Sequence, residues 1–302
     1  MNTNKHRRRR SRSKSSTSKL HSSYADRAIQ EYELETQWSP EVTSEIDEIV
    51  DSLSERNRFH SQDFTHLPFV TIDGTGARDY DDAIYARASD DGWLLQIAIA
   101  DVSHYVRPGT ALDEAAYSRG NSIYFVDRVI PMLPEILSSD LCSLRPNEDR
   151  LAIVCSISIS FSGDILDWTF DQAWIRSRFR LTYGEVDRYL EKREAQFHRA
   201  WSETVCESLD MMSQVVLARG HLCDRTSRIN ISLPETEITL GKNGTVVAID
   251  YREINRATKL VEECMLSANL CAAQTFKKTL SRAVYRVHQA PSSRDLAELR
   301  QV

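Results

Sequence analysis

Four aspartates lie within ten positions of the sequence, in the stretch TIDGTGARDYDDAIY, residues 71–85. They are Asp73, Asp79, Asp81 and Asp82. Carboxylates this close repel one another when ionised, unless a positive charge lies between them, and Arg78 is the basic residue within the stretch. Carboxylate oxygens are preferred ligands of Mg²⁺, Mn²⁺ and Ca²⁺. The spacing leaves two interpretations open, which are a divalent-metal site for phosphoryl chemistry and a solvated acidic loop.

Other kinds of site fit this sequence poorly. Counting from Asp79, the fifth and sixth positions are Ala83 and Ile84, where an EF-hand calcium loop needs a ligand and a glycine. The glycines at 74 and 76 have neither a third glycine nor a Lys-Ser/Thr pair after them, so they do not form a phosphate-binding loop. The six cysteines include no CxxC pair. We therefore expect no zinc site or disulfide framework, and a reducing, cytoplasmic compartment.

Two predicted strands position the aspartates. The run LPFVTIDG predicts a short strand that ends at Asp73, and the next strand begins within the segment 79–82. The glycines between them allow a sharp turn, so that the two strand ends can face each other. In an extended chain, Asp79 and Asp81 share one face and Asp82 points to the other. We therefore expect a turn or bulge at Tyr80 and Asp81 if all four carboxylates are to meet.

The remaining elements predict an α+β fold, a mixed sheet with long helices, because strands and helices alternate irregularly. A helix begins after Ser39, where Pro40 takes the first helical position, and a capping box of Thr182 and Glu185 opens another. We predict hairpins about residues 89–92, 162–164 and 241–244, a short helix over 113–120, an ordered loop over 121–137, long helices over about 199–224 and 253–278, a short strand at AVYRVH, and an amphipathic helix beginning at RDLAELRQV.

The charge is distributed unevenly along the 302 residues. The net charge is −6, but residues 1–20 contain eight Lys/Arg and no acidic residue, which leaves 30 basic against 44 acidic residues in the rest. Residues 1–28 are predicted to be a disordered basic tail, because they contain few apolar residues to bury. The tail is either an arm that binds nucleic-acid phosphates or a solvated tail without a specific partner. No apolar run approaches the roughly 18 residues of a membrane span, so no membrane partner is expected.

Long ordered motifs resemble the catalytic (RNB) domain of the ribonuclease II/ribonuclease R exoribonucleases. They are TIDGTGARDYDDAIYA, IAIADVSHYVRPGTALDEAAYSRGNSIYF, VIPMLPEILSSDLCSLRPNEDRLAIVC, KLVEECMLSANLCAA and YRVHQAPS. The resemblance implies an RNB-type domain over residues 29–302, comprising its N-terminal and central part only. It also implies hydrolysis of single-stranded RNA from the 3′ end to 5′-mononucleotides with Mg²⁺, or with Mn²⁺ in its place.

The same resemblance implies roles for individual residues. Asp73, Asp79, Asp81 and Asp82 match the family's catalytic aspartates and are implied to be metal ligands, directly or through water. Asp81 and Asp82 are implied to be catalytic, with Asp81 the most critical to the chemical step. Asp101, at the end of the predicted strand IAIAD, is a weaker candidate for a supporting residue near the aspartate cluster.

Two further residues are implied to contact RNA. Tyr124 matches a tyrosine that stacks near the 3′-terminal nucleotide, although its apolar surroundings also suit a core aromatic. Glu263 resembles a residue that contacts the terminal ribose, with Glu262 as the alternative choice. A solvated helical face is the simpler interpretation of both glutamates.

The sequence also departs from the family pattern. Family members carry cold-shock-type barrels before this domain, and later helices, an arginine motif and an S1-type barrel after it. The match ends inside the domain, so we expect it to be incomplete at its C-terminus. Two hypotheses follow. The chain is a 3′-to-5′ exoribonuclease assisted by a complementary C-terminal portion of the same enzyme, or it is a catalytically inactive truncated remnant that only binds RNA or metal.

Overall fold

The computed structural model describes residues 24–52, 61–192, 195–225, 235–241, 244–252, 254–285, 287 and 289–301. The helices are α1 (Tyr24–Glu31), α2 (Pro40–Ser52), α3 (Val102–Tyr105), α4 (Ala111–Arg119), α5 (Tyr183–Lys192), α6 (Ala195–Ala200), α7 (Glu203–Arg225), α8 (Arg256–Lys278) and α9 (Ser293–Leu299), with a π-helix over Leu137–Leu141. The strands are β1 (Gln62–Asp63), β2 (Val70–Asp73), β3 (Asp82–Ser89), β4 (Gly92–Ala100), β5 (Ile123–Tyr124), β6 (Val129–Ile130), β7 (Asp149–Ser160), β8 (Ile165–Arg176), β9 (Phe179–Thr182), β10 (Glu235–Leu240) and β11 (Val246–Arg252).

Seven of these strands form one mixed sheet, in the order β1-β8-β7-β4-β3-β2-β9. The two edge strands pair in parallel, β1 with β8 and β9 with β2, and the inner pairs are antiparallel. Two separate hairpins are formed by β5 with β6 and by β10 with β11. Helices interspersed with a mixed sheet confirm the predicted α+β class.

The sheet carries a different core on each face, because successive side chains of a strand point to opposite sides. On one face large aliphatic residues such as Leu95, Ile97 and Ile157 pack with side chains of α5, α7 and α8. The other face presents small residues, among them Ala83 and Ala98, to α2, α4 and the segment 137–144. The small side chains let that segment approach the start of β3, where the aspartates lie.

Several predicted boundaries are confirmed. Helix α2 begins at Pro40, and the Ser39 hydroxyl accepts a hydrogen bond from the Val42 N–H. The predicted capping box forms, since Glu185 accepts from the Thr182 backbone N–H while the Thr182 hydroxyl accepts from the Glu185 N–H. The predicted loop over 121–137 is more regular than expected, since it contains β5 and β6 and leads into the π-helix.

Two predictions are wrong. Residues 24–28 belong to α1 and not to a disordered tail, because Ala25 is buried and Asp26 pairs with Arg128 at 2.9 Å. The predicted strand at AVYRVH is absent from its described residues, and the Val284 side chain is fully exposed. Its β-branched composition favours a strand, but the sheets of the described chain offer it no pairing partner. Residues 1–23 lie outside the described residues.

The described helices differ from membrane spans, which need about 20 mostly apolar residues. None of them combines the length and the apolar character that crossing a bilayer requires.

Candidate active site

The aspartates lie where β2 ends and β3 begins. Asp73 is the last residue of β2, and Asp82 is the first residue of β3. These two strands are antiparallel neighbours, so the end of one lies beside the start of the other. Asp79 and Asp81 belong to the connecting segment, residues 74–81, which we call the aspartate loop. The predicted turn between the two strands is therefore present, and it places all four carboxylates at one end of the sheet.

Hydrogen bonds hold the second half of this loop against distant parts of the chain. The Tyr80 N–H donates to the Ser143 hydroxyl at 3.0 Å, and the Leu144 N–H donates to the Tyr80 carbonyl at 2.8 Å. The Asp81 carbonyl accepts from the Ala100 N–H at 2.8 Å. Because Tyr80 separates Asp79 from Asp81, the segment after the π-helix controls the backbone that carries both carboxylates.

The first half of the loop is held from β9. One terminal nitrogen of Arg180, Nη2, donates to the carbonyls of Gly74 and Thr75 at 2.8 and 2.9 Å. The Ala77 N–H closes a turn by donating to the Gly74 carbonyl at 3.2 Å. The Arg180 guanidinium also lies over the Tyr80 ring, 5.6 Å from its centroid. One side chain thus contacts both halves of the loop.

Burial and neighbouring carboxylates together raise the pKa of three of the aspartates. Burial, followed by the charge of Asp82, raises the pKa of Asp73 to about 7, against a lowering by the Thr71 side chain and then by Arg180. Burial and then the charge of Asp81 raise the pKa of Asp82 to about 6. Asp81 is exposed, yet partial burial and then the charge of Asp79 raise the pKa of its carboxyl. Protein groups therefore leave the combined negative charge under-compensated.

Two carboxylate oxygens at this end of the sheet are unusual. Asp73 Oδ2 and Asp82 Oδ2 are both buried, and neither has a hydrogen-bond partner among the described residues. Buried polar atoms of this kind are uncommon and require an explanation. An all-oxygen donor set fits a hard divalent cation such as Mg²⁺, which usually keeps several waters and takes few protein ligands.

The four carboxylates do not form a closed cage. Throughout the described ranges, no three His, Cys, Asp or Glu side chains approach closely enough to hold a metal ion together. Asp79 and Asp81 line a cavity, whereas Asp82 does not line it and is half-buried at the first position of β3. Their assignment as metal ligands stays a prediction.

A cavity of about 980 Å³ opens beside the aspartate loop. Asp79 and Asp81 line one wall, and the β5–β6 hairpin contributes Tyr124 and Arg128 to another. The Tyr124 side chain is 73% exposed, so it is not the core aromatic that its apolar neighbours also suggested. An exposed aromatic ring suits stacking of a base, whereas the carboxylates in the same cavity would repel phosphates unless a divalent cation lay between them.

Glu263 lies elsewhere. It is buried on the core side of α8 and pairs with Arg219 of α7 at 3.1 Å, and Arg219 also donates to the Gly163 carbonyl at 3.0 Å. The neighbouring Glu262 is exposed. A ribose contact by Glu263 would require this buried ion pair to open, and the RNA-binding role of Glu263 stays a prediction.

Asp101, the weaker candidate, is used to cap α3. Its carboxylate accepts hydrogen bonds from the Ser103 hydroxyl, the His104 N–H and the Gln172 side-chain amide at 2.6, 3.2 and 2.6 Å. These partners satisfy a buried charge. Asp101 therefore supports the strand end next to Ala100 and does not face the cavity.

Two residues that contact the loop were not identified from the sequence. Ser143 lies 63 positions from Tyr80, and Arg180 lies 106 positions from Gly74. No local spacing indicates either contact, since both depend on how the strands pair. Arginines alternate with other residues in RSRFR, residues 176–180, and this pattern was the one sign in the sequence of a basic contact. It does not show which arginine reaches the loop.

Comparisons with known proteins show which family this chain is similar to. The RNB domain family matches residues 61–302. Ribonuclease R of Vibrio cholerae serotype O1 is 39% identical over 276 residues, 90% of this chain and 33% of that relative. Mycoplasma genitalium RNase R with ribose-methylated single-stranded RNA has a TM-score of 0.83 at 31% identity, covering 90% of this chain and 42% of that chain. The same RNase R with double-stranded RNA has a TM-score of 0.84 at 31% identity, covering 90% and 48%. The chain spans about a third of the length of its curated relative.

Proposed function

The chain belongs to the RNB domain family, and we propose that it acts as a Mg²⁺-dependent 3′-to-5′ exoribonuclease on single-stranded RNA, releasing 5′-mononucleotides. The observation that carries the proposal is the shared cavity, in which Asp79 and Asp81 line one wall and the exposed Tyr124 lines another. Likeness to RNase R structures that hold RNA supports RNA as the ligand.

The four aspartates would hold the metal. Asp73 and Asp82 offer buried oxygens without a protein partner, and Asp79 and Asp81 offer oxygens at the cavity wall. When bound, Mg²⁺, or Mn²⁺ in its place, stabilises negative charge on phosphate oxygens and makes water a better nucleophile. Relief of the mutual repulsion would favour the ionised form of all four carboxylates.

The aspartates have different parts in this proposal. Asp81 is open to the cavity, so its carboxylate would be nearest to the scissile phosphate and most critical to the chemical step. Asp82 is half-buried at the start of β3, so its carboxylate would bind the metal ion from the side of the sheet and would help to fix the position of that ion. Both are assigned as catalytic.

Tyr124 would hold the terminal base. Stacking on an aromatic ring accepts every base, since all bases have a π-face. A ring that is 73% exposed is free to receive such a base from the cavity. Stacking also requires an unpaired nucleotide, which favours single-stranded RNA as the substrate.

A complementary C-terminal portion of the same enzyme is a proposed partner. The outer side of α8 exposes Leu266, Leu270 and Phe276, and the chain beyond it exposes Val284 and Val287. Exposed apolar surface, where it is extensive, commonly marks a protein interaction site. A polypeptide packed there would cover these residues.

The alternative is a catalytically inactive chain that only binds RNA or metal. The observation that favours it is that no three ligating side chains converge within the described ranges. A binding-only chain would need the cavity and Tyr124 but no complete metal site.

The experiment is a cleavage assay on a 3′-labelled oligoribonucleotide with Mg²⁺. We expect the label to appear first as a mononucleotide, and Asp81→Asn to slow its release by about 100-fold or more. Asp91→Asn is the matched control, since it removes the same charge from the exposed turn between β3 and β4. Equal rates for the wild type and Asp81→Asn would contradict the proposed site, and RNA binding without any cleavage would support the alternative.

A further inference from the structure

Arg180 is the basic side chain that reaches the aspartate loop from the neighbouring strand. Strand β9 runs parallel to β2, with Arg180 opposite Thr71 and Thr182 opposite Asp73. Its guanidinium extends past the end of β2, where Nη2 donates to the Gly74 and Thr75 carbonyls. Arg180 therefore binds the backbone that directly follows Asp73.

Arg178 is a second arginine that binds backbone carbonyls, but in a segment that carries none of the four aspartates. Arg178 lies two positions earlier, so it points to the same side of an extended chain. Its Nη2 donates to the Thr65 carbonyl at 2.9 Å, in the segment before β2. Arg178 and Arg180 thus hold the segments before and after one strand, and the segment after it carries the aspartates.

Both described hydrogen bonds of the Arg180 side chain are to carbonyls, so they do not occupy the carboxylate oxygens. No ion pair joins Arg180 to an aspartate among the described salt bridges, although its charge acts on Asp73 through space. A guanidinium bound directly to Asp73 would occupy the ligand oxygens. Bound to the backbone, it fixes the loop and leaves Asp73 Oδ2 without a partner.

We propose that Arg180 is a positioning residue that holds the aspartate loop in the geometry needed for divalent-metal binding. The inference rests on the proposed function for the identity of the ligand. The positioning itself concerns the loop, and it can be measured without RNA and without metal.

The first test is hydrogen exchange of the metal-free protein. Loss of hydrogen bonds from a charged donor should speed exchange in a peptide covering residues 74–80 by about tenfold or more in Arg180→Gln. The Ala77 N–H, bonded to the Gly74 carbonyl, reports directly on this turn. Arg178→Gln is the matched control, and it should speed exchange only around residues 65–69.

The second test measures Mn²⁺ binding to the same proteins by electron paramagnetic resonance, in the absence of RNA. Arg180→Gln should raise the Mn²⁺ dissociation constant about tenfold, which is the cost of about one charge-assisted hydrogen bond. Arg178→Gln should leave it unchanged. Arg180→Lys keeps the positive charge on a shorter side chain that lacks the planar fork, so it should also lose loop protection and Mn²⁺ affinity.

The outcomes separate this inference from the proposed function. If wild-type protein binds no Mn²⁺, the proposed function fails, while hydrogen exchange still decides whether Arg180 holds the loop. Wild-type exchange in Arg180→Gln, or wild-type Mn²⁺ affinity in Arg180→Lys, would overturn the inference. It would also be overturned if both variants failed to fold, since Arg180 would then be a determinant of the fold.

Discussion

Carboxylates are buried in two regions of this molecule under opposite conditions. In the helical layer, Glu263 pairs with Arg219, which also donates to a backbone carbonyl. At the end of the sheet, Asp73 and Asp82 each have one oxygen without a protein partner. Burial raises the pKa of both, helped by the charge of Asp82 at Asp73 and by the charge of Asp81 at Asp82. The first charge is neutralised within the fold, whereas no described ion pair neutralises the aspartates, for which we proposed a cation.

The difference separates structural from functional burial. When one partner of a buried ion pair is removed, the folded protein loses stability, because the other partner remains charged in a medium of low polarity. In a cluster of carboxylates without a bound cation, the negative charges repel one another, so neutralising one of them lowers this repulsion. The same chemical change should therefore have opposite effects on stability at the two sites.

The largest expected effect is at the helical pair. Arg219→Met should lower the free energy of unfolding by about 3 kcal/mol, because Glu263 loses its buried cationic partner. Urea denaturation in the presence of a chelator measures the change. Asp82→Asn is the comparison, and it should leave metal-free stability unchanged or higher. The comparison breaks down if Asp82→Asn destabilises the protein as much as Arg219→Met does.

The pH dependence of metal-free stability comes next. The pKa of Asp73 is about 7 in the folded protein and below 4 when unperturbed, so between these values the folded state holds a proton that the unfolded state has lost. The stability is present below this window and is lost as pH rises through it. With allowance for screening of a partly exposed group, we expect a loss on the order of 2 kcal/mol.

Thermal unfolding in a chelator at about pH 5 and about pH 7.5 tests this sign. Asp73→Asn should flatten the pH dependence, and Mg²⁺ added to the wild type at the higher pH should restore stability. Identical pH slopes for the wild type and Asp73→Asn would show that the cluster is not under electrostatic stress.

The smallest expected effect concerns Tyr124 and tests whether the cavity binds RNA. Tyr124→Ala should weaken binding of a single-stranded oligoribonucleotide by about 1 to 2 kcal/mol, through the loss of base stacking. Tyr124→Phe keeps the ring and should bind nearly as the wild type does. Fluorescence anisotropy measures both. Equal weakening by the two variants would attribute the effect to the hydroxyl and would remove stacking from the account.

The helix that carries Glu263 shows what sequence could and could not predict. Its existence and approximate bounds were correct, since the predicted 253–278 became Arg256–Lys278. The choice between Glu262 and Glu263 was not settled by the motif. The buried positions Leu260, Cys264 and Ser267 repeat at helical spacing, and Glu263 lies three after the first and four before the last, on the same face. Periodicity therefore favoured its burial.

The site itself was predictable only in part. The clustering of the four aspartates and the turn after Asp73 follow from local composition and glycine placement. The contacts of Ser143 and Arg180 do not, because they join residues far apart in sequence through strand order. The direction of each carboxylate depends on those contacts, which is why the spacing left open whether the four aspartates meet; in the structure no three of them form a group that could hold a metal ion.

The most direct measurement is the anomalous scattering of Mn²⁺ in crystals of the wild-type protein. The account predicts a peak at the end of β2 and β3, about 2 to 2.3 Å from carboxylate oxygens of at least two of the four aspartates. The peak should be lost in Asp81→Asn and retained in Asp91→Asn. A saturating Mn²⁺ concentration that gives no peak there, or only a peak elsewhere, would contradict the claim that these carboxylates await a cation.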